Sequence, residues 1–101
     1  MQGASAGTQQ AVIDISIGTA GIPTRVFFVE LLSGGGGAGS VVMRNGTKTT
    51  DTAFSQIDGT AASKTDSRFY GEDGMYFPDG CFVDLGTNAS SATVVYKQEV
   101  L

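Results

Sequence analysis

Thr24-Arg25-Val26-Phe27-Phe28-Val29-Glu30-Leu31-Leu32 is the most strand-prone stretch of the chain, dense in aromatic and β-branched residues. Successive side chains of a strand point to opposite faces. Strict alternation therefore puts Arg25, Phe27, Val29 and Leu31 on one face and Val26, Phe28, Glu30 and Leu32 on the other. Both faces are largely apolar. One must meet a core, and the other needs a second layer or another subunit. So β-prone and weakly charged a segment must be central or covered, because exposed it would template aggregation.

Outward from this segment the same period of two recurs. Gln10–Ile17 reads as a half-buried strand with Ala11, Ile13, Ile15 and Ile17 on one face. Ser40–Arg44 and Thr47–Ile57 flank Asn45-Gly46, a tight-turn dipeptide whose residues tolerate positive φ. Thr65–Tyr70 is followed by a Gly71-Glu72-Asp73-Gly74 turn. Met75–Phe77 and Cys81–Leu85 flank Pro78-Asp79-Gly80, which suits a type I turn. Ser91–Lys97 closes the series. No long stretch shows helical periodicity, and about eight short strands at roughly ten-residue spacing indicate an all-β sandwich or barrel. The expected fold is a single-domain antiparallel β-sandwich, jelly-roll-like, over residues 10–101. Residues 1–9, all small or polar after the first, read as a flexible N-terminal arm. Gly34–Gly39 reads as a flexible inter-strand loop.

The chain has 101 residues, enough for one modest core and no second one. Charged residues make up 16%, well below the roughly 25% of an average soluble domain, which fits a surface partly covered by partners. The net charge is −4, and Arg25, Arg44, Lys48, Lys64, Arg68 and Lys97 are scattered. Neither nucleic acid nor an anionic membrane is an expected partner. The first residues lack the basic and apolar regions of a signal peptide, and no apolar run is long enough to cross a bilayer, so synthesis in a cytosol is expected.

Candidate chemistry is sparse. Without histidine, Ser–His and Cys–His nucleophile pairs are excluded. Cys81 alternates with Val83 and Leu85 and reads as a core residue. Glu72, Asp73, Asp79 and Asp84 are candidates for paired carboxylates or a calcium site. The first three sit in turns, where acidic side chains serve the local backbone, and no EF-hand spacing is present. The glycine run is followed by Ser40-Val41-Val42-Met43 rather than the Lys-Ser/Thr and helix of a phosphate loop. Asn45-Gly46-Thr47 and Asn88-Ala89-Ser90 match a glycosylation pattern but read as turns. No catalytic residue, cofactor or metal is assigned, and no enzymatic activity is expected.

The outward-facing apolar residues are more informative. Alternation places Val12, Val26, Phe28 and Phe82 on outer faces, which makes them the expected protein interface. In a different register the same residues fill the core between two sheets, and the two readings stand side by side at this stage.

The order of these segments resembles small β-rich virion proteins of tailed phages, especially short-tailed phages of marine cyanobacteria. The resemblance runs over residues 22–97. It rests on the strand at Thr24–Leu32, the glycine loop, Val41-Val42-Met43-Arg44-Asn45-Gly46 with its Thr-rich return, Gly71-Glu72-Asp73-Gly74-Met75-Tyr76-Phe77, Pro78-Asp79-Gly80-Cys81-Phe82-Val83-Asp84-Leu85, and Ala92-Thr93-Val94-Val95-Tyr96. It implies a structural role in the virion as a capsid decoration or cement protein, bound to copies of itself, with a trimer among the arrangements, and to the major capsid protein or tail proteins. The alternative it leaves is a tail or fibre module that binds a receptor or glycan. The chain has no tryptophan for that purpose, though Tyr70 and Tyr76 lie near the acidic turns.

Overall fold

The computed structural model describes residues 3–100, with side chains described for 6–98. Among the described residues there are nine strands: β1 (Gly3–Ala11), β2 (Ile15–Ser16), β3 (Thr24–Ser33), β4 (Ser40–Asn45), β5 (Thr52–Asp58), β6 (Thr65–Phe69), β7 (Met75–Phe77), β8 (Cys81–Leu85) and β9 (Ala89–Val100). They form two antiparallel sheets. One runs β1-β9-β3-β6, with β7 also on β3, and the other runs β2-β8-β4-β5.

β6 pairs with Phe28–Leu32 and β7 with Thr24–Val26, so the two are one strand interrupted at 70–74. Counted together, they leave eight strands whose chain path crosses repeatedly between sheets, with β4–β5 as a hairpin within one. That is the double-sheet jelly roll. The loops gather at the two ends of the sandwich. Segments 12–14, 34–39, 59–64 and 86–88 lie at one end, and 17–23, 46–51 and 78–80 at the other.

The inner faces supply a single core. Val26, Val29 and Leu31 of β3 meet Ala92 and Val94 of β9 in one sheet. Val41, Met43, Ile57, Cys81 and Val83 line the other, with Ala11, Ile17 and Phe77 completing the cluster. The open side between β5 and β6/β7 is closed by three contacts. The Ser55 and Tyr70 hydroxyls share a hydrogen bond of 2.8 Å, Arg68 donates to the Gln56 carbonyl at 3.2 Å, and the Phe54 and Phe77 rings stack at 5.4 Å.

Strict alternation fails at one place in β3. Val26 is level with Tyr96 and Phe28 with Val95, so Phe27 is an extra, bulged residue. One inserted residue reverses the phase of a strand. Thr24 and Val26 point inward before the bulge, Val29, Leu31 and Ser33 after it, and the outer face holds Arg25, Phe28, Glu30 and Leu32. Val26 is therefore fully buried rather than an interface residue.

Three other expectations are corrected. Residues 3–9, read as a flexible arm, belong to β1 and pair with β9 in unbroken register. The expected strand at Gln10–Ile17 is broken at 12–14, where the chain leaves one sheet for the other. Ala11 and Ile17 are buried as expected and Ile15 is level with the buried Val83, 37% exposed at the sheet's edge, but Ile13 is 64% exposed. The third correction concerns Gly34–Gly39, which is pinned by backbone rather than loose. Gly34 N donates to Asn88 O at 2.6 Å, Gly59 N to Gly39 O at 2.7 Å, Ser63 N to Gly34 O at 2.9 Å, and Gly39 N to Ser33 Oγ at 3.0 Å. A Cβ on Gly39 would lie 2.8 Å from the backbone of Asn88 and Ala89, so the close approach of these loops requires glycine there.

At the opposite end, Pro78-Asp79-Gly80 forms the expected turn, but it carries the chain from β7 in one sheet to β8 in the other, so it does not close the expected hairpin. Gly80 N donates to Phe77 O at 3.2 Å, and Gly80 takes φ 96°. The same end depends on a residue with no sequence signature. Gln98 is 5% exposed, and its amide nitrogen reaches Ile17 O (3.1 Å), Thr19 O (2.9 Å) and Thr24 Oγ1 (3.0 Å). Its Oε1 accepts from Thr19 N at 2.9 Å. Among the described residues no buried side-chain nitrogen or oxygen lacks a partner.

Two stability predictions follow from this packing. Gly39→Val should lower the unfolding free energy by about 1–3 kcal/mol through overpacking, and Gly35→Ala, where a Cβ meets nothing, by no more than about 0.5 kcal/mol. Gln98→Leu strands buried carbonyls and should cost about 2–3 kcal/mol. Urea unfolding of the three variants beside the parent chain measures all of these.

Candidate interaction face

Cross-strand partners in an antiparallel sheet share a face, so register alone lays out the outer surface of the β1-β9-β3-β6/β7 sheet. One row runs Thr8, Val95, Phe28, Phe69. Beside it lies Gln10, Thr93, Glu30, Ser67, and beyond that Ser91, Leu32, Thr65. On the other flank come Ala6, Lys97, Arg25 and Tyr76. Phe69, at the end of the edge strand β6, is 67% exposed, and Phe28 and Val95 beside it are half-buried. Glu30 is the sole charge in the three rows from Thr8 to Thr65. The centre of this face is thus an apolar strip set among threonine, serine and glutamine.

The β3 bulge and the interruption at 70–74 face each other, and between them is a notch of about 480 Å³ lined by Arg25, Phe27, Glu72, Asp73 and Lys97. Tyr70 N donates to Phe27 O at 2.8 Å at its edge. The Arg25 guanidinium lies 4.6 Å over the Tyr76 ring and donates to Asp73 O at 3.4 Å. The notch is open and balanced in charge, with two cations facing two carboxylates.

The outer face of the second sheet is different. Phe82 points outward there, as alternation required, level with Ser16 and Arg44. It is only 9% exposed. Arg44, directly opposite, reaches along the strand to an ion pair with Asp84 at 3.0 Å and donates to Asp51 O at 3.0 Å. Phe82 is therefore covered within its own subunit and leaves the set of expected interface residues. Val12 is 64% exposed, with Ile13 equally so, at the corner that follows β1. Of the four residues expected at an interface, Val12 and Phe28 reach the surface and Val26 and Phe82 do not. Phe69 was missed because its strand, Thr65–Phe69, is otherwise polar and exposed on both faces, which leaves alternation nothing to register.

The acidic turns have local work. Asp51 Oδ2 accepts from Thr47 N and Lys48 N at 2.8 and 3.2 Å, Asp66 holds Thr60, and Asp14 accepts from Leu85 N at 2.8 Å. Asp79 accepts from the Asn45 amide at 2.9 Å while its own N–H donates to Asn45 Oδ1 at 2.8 Å, which locks the 46–51 and 78–80 loops together.

Cys81 lies in the core, and burial pushes its thiol from the ordinary 9.0 up to about 12. Burial also raises the Tyr70 phenol, against the opposing pull of the Ser55 hydrogen bond and Arg68. Below about pH 9 the Cys81 thiol is neutral in both folded and unfolded chains. Above it the unfolded chain ionises first, so this contribution to stability falls as pH rises from about 9 toward 12. The urea midpoint should drop over that range, and Cys81→Ala should flatten part of the drop. A thiol-specific reagent should label Cys81 only as fast as the chain unfolds.

Comparison with known proteins finds no family model that matches the chain and no curated protein similar to it in sequence.

Proposed function

We propose that the chain is a structural protein of a tailed-phage particle, made in the host cytoplasm and acting in the virion as a capsid decoration or cement protein. Its work is adhesion, by docking on the major capsid protein and on copies of itself. The observation that carries this reading is the Val95–Phe28–Phe69 strip on the outer sheet face, with Phe69 67% exposed. Such a patch lowers free energy only when a partner removes it from water, at roughly 25 cal/mol per Å² of apolar surface. The low overall charge agrees with a surface that is partly covered in use. Jelly rolls serve in both viral shells and lectins, so the fold is compatible with the reading without selecting it.

A second reading, a tail or fibre module that binds a receptor or glycan, draws on a separate feature. The notch puts hydrogen-bonding Arg25, Lys97, Glu72 and Asp73 beside the Tyr76 ring, a combination able to hold a sugar face and its hydroxyls.

Quantitative mass spectrometry of purified particles separates the two. A decoration protein is expected in tens to hundreds of copies and a fibre module in a few, and absence from particles would overturn both. Phe69→Asp should leave the unfolding free energy within about 0.5 kcal/mol, since the side chain is exposed, and should strip the protein from the particle. Retained occupancy would remove the apolar strip from the argument.

A further inference from the structure

The two sheets have four edges, and they are not alike. A sheet edge presents unpaired N–H and C=O groups, and proteins guard such edges with charge, proline, bulges or shortness. β2 has only two residues. β5 carries a bulge opposite the Met43–Arg44 step and ends in Asp58. The β6/β7 edge holds Asp66 and Arg68 and is interrupted at 70–74. β1 has none of these devices. It is nine residues long, Gly-Ala-Ser-Ala-Gly-Thr-Gln-Gln-Ala, with no charge, no proline and unbroken register against β9, its one strand neighbour among the described residues. Two exposed apolar residues, Val12 and Ile13 at 64% each, follow directly on its last residue.

We propose that β1 pairs antiparallel with β1 of a second copy of this chain, joining the two β1-β9-β3-β6 sheets across a twofold axis. Full overlap of two nine-residue strands puts Gly7 on the axis, with Ala6 of one copy opposite Thr8 of the other. The occupant follows from charge. Each chain carries a net −4, so most ways of bringing two copies together set like charges near each other. β1 to β1 sets none, because neither strand has any. Ala11 lies level with Gly3 of the other copy, so the one operation brings each exposed Val12–Ile13 corner to the end of the other copy's strand. The joined sheet is continuous, and the two Val95–Phe28–Phe69 strips come to lie on the same surface. The pairing rests on self-association alone and does not depend on residence in a virion, which the particle measurement tests separately.

The test uses the full chain in sedimentation equilibrium and multi-angle light scattering across the micromolar range. A concentration-dependent dimer is expected, and a persistent monomer or a trimer would overturn the pairing. Ala6 and Thr8 are exposed, so an Ala6→Lys/Thr8→Lys variant should fold while opposing lysine to lysine twice across the axis, weakening association about tenfold or more. An Ala6→Glu/Thr8→Glu variant should behave alike, and mixing the two should restore a mixed dimer. Dimerisation unaffected by the lysines, or failure of the mixture to associate, would show that β1 does not face its own copy and that an extended segment of another protein is the better occupant. Should either variant misfold, amide hydrogen exchange of the parent chain decides. Protection across residues 3–11 should rise with protein concentration, and concentration-independent exchange there would overturn the proposal.

Discussion

β3 is bonded along both edges through nearly its whole length, to β9 on one side and to β6 and β7 on the other, while its inner face supplies Val26, Val29 and Leu31 to the core. The single extra residue at Phe27 is the constraint on which the remainder depends. It lets a strand of apolar character on both sides choose different phases at its two ends, so that Val26 is buried and Phe28 is not. It also sits opposite the break between β6 and β7, where the Phe27 carbonyl accepts from Tyr70 N instead of meeting a paired strand residue. The notch lined by Phe27, Arg25, Glu72, Asp73 and Lys97 is the space left by that mismatch.

The two ends of the sandwich are secured by different chemistry. At one, backbone meets backbone. Gly34, Gly39 and Gly59 bring loops so close that carbonyls and amides bond directly, and a Cβ at Gly39 would be in the way. At the other, side chains bridge the gaps, with Gln98 tying β9 to the 17–23 loop and Asn45–Asp79 tying two further loops together. The first solution leaves little room for substitution. The second relies on single polar residues that must satisfy several partners at once, because an orphaned group there is buried.

Much of this was legible in the chain. Thr24–Leu32 declares itself as the central strand by composition, the Pro78-Asp79-Gly80 turn by its chemistry, and Cys81, Val83 and Leu85 by alternation. What could not be read shares a cause: it depends on partners distant in sequence. A bulge at Phe27 is defined only against Tyr96 and Val95 of β9. Gly3–Ala11 has no hydrophobic pattern of its own and becomes a strand because β9 offers it an edge. Gly34–Gly39 looks flexible until Asn88 and Gly59 are set beside it. Phe82 was assigned the right face, but no local pattern shows that Arg44, nearly forty residues earlier, would be drawn to Asp84 along that face. Ile13 and Ile15 fit the alternation, yet the chain leaves the sheet between Ala11 and Ile15, and a change of sheet has no period.

The sheets thus differ in how they meet water. The β2-β8-β4-β5 sheet leaves its outward Phe82 only 9% exposed and keeps its edges short or bulged. The β1-β9-β3-β6 sheet does neither: Phe69 stands clear of its neighbours, and β1 ends the sheet without a charge. With only 16% charged residues available, the chain cannot guard every surface, and none of those it has falls on β1. An exposed apolar strip and an uncharged edge thus lie on the same sheet. Any assembly that covers it therefore gains from apolar burial and from backbone pairing together, two terms that usually have to be found in different places.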